Sequence, residues 1–366
     1  MAHAHAHAHA GIFVADDQMI VGVQKVSSTQ QYSVESMLVE EIGYAPSFHE
    51  TLQVSLDSVA RLSKRHGLEV ENIAIAVPGP VKMSGMRVND KNLNLLRSEY
   101  GTFGHNIRRS ELSNINIPEQ VAEMSELKIS GNVLVYHDAA AYAYGDFFLR
   151  RNEMCRDYGE RREFNKLETH LLFLVDEGVG GSIIAAGMVA QGPSHPEIGH
   201  CIVKRHPHDI AFRAQCNVHR RLGCLESLVS LQAMRRRCWV SDKLVGDYED
   251  WREDDDRLWL IAYYIAQAIA NGVLFISPSR IVLCGRVVTC NQYLLPMIRG
   301  YVWEMLEPLG DPDGQYPGYS HQVDRPDFID VVRSVHCGVF GAAMLAAGAD
   351  HIAKVSGHKI PQTKLQ

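Results

Sequence analysis

Residues 197–226 read EIGHCIVKRHPHDIAFRAQCNVHRRLGCLE, and four of them decide how the chain is read. His200, Cys216, His219 and Cys224 are spaced H-x15-C-x2-H-x4-C. Two thiolates and two imidazoles make an ordinary tetrahedral set for Zn²⁺, and short spacings within such a set are typical of structural sites. Four protein ligands leave the ion no open position, so the spacing predicts a structural zinc that pins a loop. The competing reading is a scatter of core cysteines and surface histidines, which is all that the Cys216-x2-His219 pair would suggest by itself. His206 and His208 are spare ligand candidates that read as surface residues of an insertion.

Outward from this loop the pattern is α/β. A strand over 171–175, a Gly-rich turn and a strand over 181–185 precede it, after a charge-dense stretch, 155–168, that reads as an exposed excursion. A helix over 225–239, an acidic stretch over 246–257, a long helix over 259–275 and a strand over 280–284 come after it, with a small-residue helix over 338–348. Nearer the start, 11–27 reads as two short strands about an Asp16-Asp17 turn. Leu52, Leu56, Val59 and Leu62 mark a helix over 48–67. A strand over 73–77 runs into Pro78-Gly79-Pro80, and a strand over 132–136 leads to a small-residue helix from Ala139. Strand, helix and strand in this order predict a mostly parallel sheet with helices on its faces. Residues 1–10, MAHAHAHAHA, read as a metal-affinity tag outside the fold, with a metal-binding arm as the other reading.

The chain has 366 residues, 46% hydrophobic and 22% charged, which suits two globular domains. Its net charge of −7 and its short basic clusters, such as Arg235-Arg236-Arg237, argue against a nucleic-acid partner. No apolar run in the sequence approaches the roughly 20 residues of a bilayer span, and no signal peptide is visible. Eight cysteines without a secretory signal read as thiols, so the expected compartment is the cytoplasm.

Glu197-Ile198-Gly199-His200 and Gly223-Cys224-Leu225-Glu226 resemble the signature of the ROK family of repressors and sugar kinases. The usual zinc loop there has three cysteines, and His219 is similar to a variant with histidine in the middle. Ala76-Val77-Pro78-Gly79-Pro80 resembles the family's glycine-proline-glycine turn. Residues 135–141 (VYHDAAA) resemble its asparagine-aspartate-alanine-asparagine segment, Gly178-Val179-Gly180-Gly181 its second phosphate loop, and 338–346 its last helix. The resemblance covers 11–348. It implies a two-domain actin/hexokinase-like (ASKHA) α/β fold with a cleft between the domains, and a homodimer. One domain would span 11–140, with the helix at 338–350 packing back onto it. The other would span 141–337 with the zinc loop at 200–224, and 351–366 would be a tail.

The chemistry implied is that of a kinase for a hexose, amino sugar or cyclitol. An aspartate deprotonates a sugar hydroxyl, which attacks the γ-phosphoryl group of Mg·ATP. Asp138 matches that base, although an Asp after a strand also caps the next helix. Glu197 and Glu226 match residues that hold sugar hydroxyls, for which carboxylates are suited as double acceptors. His200 matches one that touches both sugar and zinc, and Asn92 is a further candidate. His137 stands where the family has a sugar-contacting asparagine, and Ala140 replaces a second one.

Three departures fall on the nucleotide side. The family opens with a strand and an aspartate-x-glycine-glycine-threonine phosphate loop, whereas 11–14 resembles the strand after that loop. The first strand is therefore expected to be deleted or replaced by the His-Ala stretch. The second phosphate loop carries Asp176-Glu177-Gly178, with Gly180 beyond it, in place of glycine-threonine-glycine. Two carboxylates facing a triphosphate repel it, and Mg²⁺ offsets that for one of them. At Leu283-Cys284-Gly285-Arg286-Val287 the side chains of Cys284 and Arg286 are expected to crowd the adenosine path, or Arg286 to bind an anion. These departures keep two other readings open. One is an ATP-independent isomerase, epimerase or hydrolase using Asp138 with Glu177 or His137; the other is a non-catalytic sugar-binding protein.

Overall fold

The computed structural model describes residues 6–15, 17–26, 33–79, 81–84, 97–100, 115–124, 127, 129–158, 168–190, 195–240, 243–244, 248–306, 325–332 and 334–355. The chain divides into two units. The first comprises Met1–Glu163, Gln191–His195 and Ser334–Gln366, and the second Phe164–Ala190 and Pro196–Arg333. Each holds a five-stranded sheet.

In the first unit the strands are β1 (Ala6–Val14), β2 (Gln18–Lys25), β3 (Leu38–Gly43), β4 (Leu68–Val77) and, further on, β8 (Val133–His137), in the order β3-β2-β1-β4-β8. β1 is antiparallel to β2 and parallel to β4, and β4 is parallel to β8. The His-Ala stretch therefore lies inside the fold from Ala6 onward, as the first half of a central strand. Its alternation explains this, because period 2 is the pattern of a strand with two unlike faces. Ala8, Ala10, Ile12 and Val14 are buried on one face with Leu52, Leu56 and Val59 of helix α1 (Phe48–Arg65). The opening strand is consequently present, and 11–14 is its second half. Ala15, Asp16 and Asp17 come directly after it, and of these Asp16 lies outside the described residues.

Strands β5 (Val81–Ser84), β6 (Arg97–Tyr100) and β7 (Ile115–Asn116) form a small antiparallel sheet, and helix α2 (Ile117–Met124) leads on from it. Helix α3 (Asp138–Tyr158) takes up the start of the stretch read as an excursion; 159–167 lie outside the described residues.

The second unit has the order β11-β10-β9-β14-β15, from β9 (Thr169–Val175), β10 (Val179–Ala185), β11 (Met188–Val189), β14 (Arg280–Cys284) and β15 (Ile329–Val331). β9 pairs antiparallel with β10 and parallel with β14. The helix expected over 225–239 is two, α4 (Leu225–Val229) and α5 (Leu231–Arg237). Ser230 between them is extended, and its hydroxyl accepts from Ala233 N–H as an N-cap. Strands β12 (Trp239–Val240) and β13 (Lys243–Leu244) make a short ladder. Helix α6 (Asp256–Ile276) is long and apolar enough to cross a membrane by length and composition. Here Leu258, Ile261, Ile265, Ile269 and Val273 bury it in the unit's core, together with α8 (Leu294–Leu306). The four-residue α7 (Arg286–Thr289) comes after β14.

Helix α9 (Cys337–Val355) returns to the first unit and packs on β1 and α3. It takes in 351–355, while 356–366 lie outside the described residues. The contact is close because small residues line it. A Cβ on Gly11 would lie 2.5 Å from the Val339 carbonyl oxygen and 2.6 Å from Ala343 N. Gly11→Ala is therefore expected to cost about 1–3 kcal/mol by overpacking, read as a lowered Tm. An unchanged Tm would mean that β1 is not clamped under α9.

Candidate functional site

Within the second unit, the loop that begins at His200 folds back on itself. Cys216 N–H donates to the Arg221 carbonyl and Arg220 N–H to the Cys216 carbonyl, closing a tight turn in which Arg220 has φ 53°. Val203 N–H donates to the Gly223 carbonyl, and Leu225 N–H to the Cys201 carbonyl, so the loop's end returns to its beginning. This closure brings His200, Cys216, His219 and Cys224 together, with one ligand atom from each lying within 4.8 Å of all the others. Cys216 Sγ is 3.5 Å from His200 Nδ1 and 3.7 Å from His219 Nδ1, and Cys224 Sγ is 3.7 Å from His219 Nδ1. A tetrahedral ion with bonds of about 2.3 Å to sulfur and 2.0–2.1 Å to nitrogen places S and N about 3.6 Å apart. The four side chains fit such an ion. His206 and His208 stay outside the cluster; His206 packs edge-on against Trp259 and Tyr263, with ring centroids 4.7 and 5.1 Å away.

The candidate sugar-side residues of this unit adjoin the cluster. His200 turns Nδ1 toward Cys216, while its Nε2 is 3.8 Å from Glu197 Oε2. Glu226 lies two residues after Cys224 on α4 and accepts a 3.0 Å hydrogen bond from Val179 N–H through Oε2. The loop's far side is held by Asp209, whose carboxylate receives Arg237 Nη1 and Nη2 at 2.7 and 2.8 Å and the Tyr264 hydroxyl at 2.8 Å. Phe212 stacks on the Arg237 guanidinium. Burial pushes the Asp209 carboxyl up, but Arg237, Tyr264 and Arg205 outweigh it and hold it below the usual range. This stabilisation is present above the ordinary carboxyl pKa and is lost as pH falls through the depressed one. Arg237→Ala, which strands a buried carboxylate, is expected to cost about 3–5 kcal/mol in urea unfolding at neutral pH, and less below the depressed pKa of Asp209. A loss under about 1 kcal/mol, the worth of an exposed pair, would refute the anchoring role.

Within the first unit, β4 and β8 are parallel neighbours, and the residues just past their carboxyl ends meet. Asp138, the first residue of α3, has a half-buried carboxylate that accepts Ala139 N–H at 2.6 Å through Oδ1. The same N–H lies 3.3 Å from His137 Nδ1. His137 is stacked on His195, with centroids 4.2 Å apart and planes 6° from parallel. Burial first, and then the His195 ring, hold the His137 pKa well below the ordinary imidazole value, so its ring is neutral at pH 7. Val81 N–H donates to His195 Nδ1 at 3.2 Å. A Cβ on Gly79 would sit 2.7 Å from His137 Nε2 and 2.9 Å from His195 Nε2, so the turn needs glycine to admit both rings. His195 was missed by sequence reasoning, although it stands two residues before Glu197 in the motif. Asn92 lies outside the described residues.

The acidic turn behaves differently from its sequence reading. Asp176 and Glu177 do not point at solvent as bare carboxylates. Asp176 Oδ1 receives Arg286 Nε at 2.8 Å and Nη2 at 2.5 Å, and Oδ2 receives the Arg286 backbone N–H at 2.8 Å. Glu177 is gripped by both terminal nitrogens of Arg235, at 2.8 and 2.9 Å, and lies 3.4 Å from Arg286 Nη2. Gly178 closes the turn, its carbonyl accepting from Asp176 N–H, and Gly180 lies in β10. Cys284 is buried, with Sγ 3.7 Å from the Phe173 carbonyl, so it packs inside the sheet instead of crowding a ligand path. Gly285 has φ 93°, a conformation that favours glycine, and a Cβ there would collide with the Val175 carbonyl. Two of the altered motifs are thus one ion-paired quartet.

The family model described as the ROK family matches residues 20–348. A fructokinase of Zymomonas mobilis is 37% identical over 134 residues, 36% of this chain and 42% of that protein. The chain spans less than two thirds of the length of the curated relatives it matches, 64% for one and 42% for another. Among solved structures, a ROK hexokinase from Thermus thermophilus superposes with TM-score 0.65 at 17% identity, covering 94% of this chain and 99% of that one. A ROK glucokinase from Streptomyces griseus, in complex with glucose and AMPPNP, gives 0.55 at 17%, covering 93% and 100%. At these identities the two structures speak to the fold alone.

Proposed function

Because this chain belongs to the ROK family, we propose that it is a carbohydrate kinase, moving the γ-phosphoryl group of Mg·ATP to a hydroxyl of a hexose-type sugar. The observation that carries the reading is Asp138, a half-buried carboxylate at the carboxyl end of a parallel strand, where such sheets bind ligands. Asp138 takes the proton of the sugar hydroxyl, the oxygen forms its bond to the γ-phosphorus, and the bond from that phosphorus to the β–γ bridging oxygen breaks to release ADP. Glu197 and Glu226 accept hydroxyl hydrogen bonds, and His200 presents Nε2 to the sugar while its Nδ1 faces a structural Zn²⁺ held with Cys216, His219 and Cys224. His137, in the asparagine's place, presents a neutral ring.

Fructose is the first acceptor to test, since the Zymomonas mobilis relative is named a fructokinase; glucose, amino sugars and cyclitols come next. A homodimer in the cytoplasm completes the reading, and the net charge of −7 suits a small-molecule partner better than nucleic acid. The test is sugar-dependent ADP release from Mg·ATP across that panel. Turnover with one sugar supports the kinase. Sugar binding without ADP release, or conversion of the sugar without ATP, would replace it by the sugar-binding or ATP-independent reading.

A further inference from the structure

We infer that Arg235 and Arg286 form the phosphate-binding face for the phosphoryl donor, with Glu177 and Asp176 serving to hold the two guanidiniums in place. This rests on the kinase reading for the identity of the anion, and on the second unit alone for the site. β9 and β14 are adjacent parallel strands, and their carboxyl ends lead directly into Asp176 and Gly285-Arg286, at the edge where open α/β sheets take ligands. Gly285 lets the exit from β14 lie against Val175, which brings the Arg286 backbone N–H to Asp176.

The layering of charge then decides what a ligand meets. The side chains of Arg235 and Arg286 are 48% and 44% exposed, whereas those of Glu177 and Asp176 are 12% and 25% exposed. The acids lie behind and the guanidiniums in front, so a solvent-borne ion meets two planar cations. A guanidinium is a planar cation whose N–H donors form a rigid fork that matches phosphate geometry. Holding each guanidinium with an acid limits the rotamer entropy lost when it binds an anion. The ligand class is a phosphoanhydride, either a nucleoside triphosphate or inorganic pyrophosphate.

The experiment titrates the zinc-loaded full chain with Mg·ATP and with Mg·pyrophosphate by calorimetry, alongside Arg286→Ala, Arg235→Ala and the charge-balanced pair Arg235→Ala/Glu177→Ala. Each variant is expected to bind the anions at least about tenfold more weakly, the loss of one charge-assisted contact, with the chain still folded and sugar affinity close to wild type. The paired variant separates two explanations. If binding returns when Glu177 is removed as well, the single variant failed through an exposed carboxylate, and Arg235 is not a ligand. Should a variant misfold, Arg235→Lys and Arg286→Lys keep the charge without the fork and are expected to fall between wild type and alanine. Binding of pyrophosphate but not ATP would identify an inorganic donor. Unchanged KM for ATP in active Arg variants would overturn the site and leave the kinase standing. Arg-dependent anion binding without transfer to any sugar would do the reverse, and a wild-type protein that binds neither anion overturns the inference outright.

Discussion

Asp138→Asn is expected to abolish sugar phosphorylation, by roughly 10²–10⁴-fold in kcat, while the protein stays folded and still binds its sugar. Two roles are open to this carboxylate. One is structural: Oδ1 accepts Ala139 N–H at the start of α3. Asparagine offers a carbonyl oxygen in the same place, so the substitution leaves that contact nearly intact. The other is chemical, and the amide cannot perform it, because it takes no proton at neutral pH. The neighbouring imidazole does not substitute. His137 is buried, and its pKa is held well below the ordinary value, which makes it a weak base. A Tm near wild type with kcat lost assigns the base. A Tm near wild type with kcat within a few-fold of the parent would leave Asp138 its contact to Ala139 alone.

The parts legible in the sequence were those whose pattern is local. The four side chains of the H-x15-C-x2-H-x4-C spacing lie together because the loop is closed by its own short-range hydrogen bonds, and the turn residues within it, Arg220 and Gly223, lie close by in the chain. The α/β alternation was legible for the same reason. What misled was composition. His-Ala repeats look like a tag, yet their period of 2 is a strand signal, and β1 uses it to put Ala8 and Ala10 into the core. The quartet was illegible for a different reason. Asp176 and Arg286 are 110 residues apart, and only the parallel pairing of β9 with β14 places them together, so two residues that looked like separate damage are one charge-compensated pair. His195 was hidden likewise, because its partner His137 comes from another segment and stacks on it only through the glycine at 79.

Removing the metal is expected to loosen the second unit and to weaken sugar binding together. The protein should carry one zinc per chain by elemental analysis, and chelation should lower Tm by about 8–16 °C. That figure comes from about 4 kcal/mol for an ion supplied at a thousand times its Kd and ~2–4 °C per kcal/mol. The reason for the coupling is positional. Cys224 is the residue before α4, and Glu226 on that helix holds Val179 N–H, next to the turn that carries Asp176 and Glu177. His200 faces Cys216 through one nitrogen and Glu197 through the other. Without the ion, the loop keeps its backbone hydrogen bonds, the Asp209–Arg237 anchor and the contacts of Lys204 and His206 to Gln267 and Tyr264, but both carboxylates proposed to read the sugar lose their reference. Cys216→Ser, which lowers metal affinity while nearly preserving volume, should reproduce the chelator's effect, and added zinc should restore Tm in the wild type only. A metal-free protein with an unchanged Tm would reduce the four ligands to a coincidence of packing. An unchanged sugar affinity at a lowered Tm would keep the structural zinc and separate it from the sugar site.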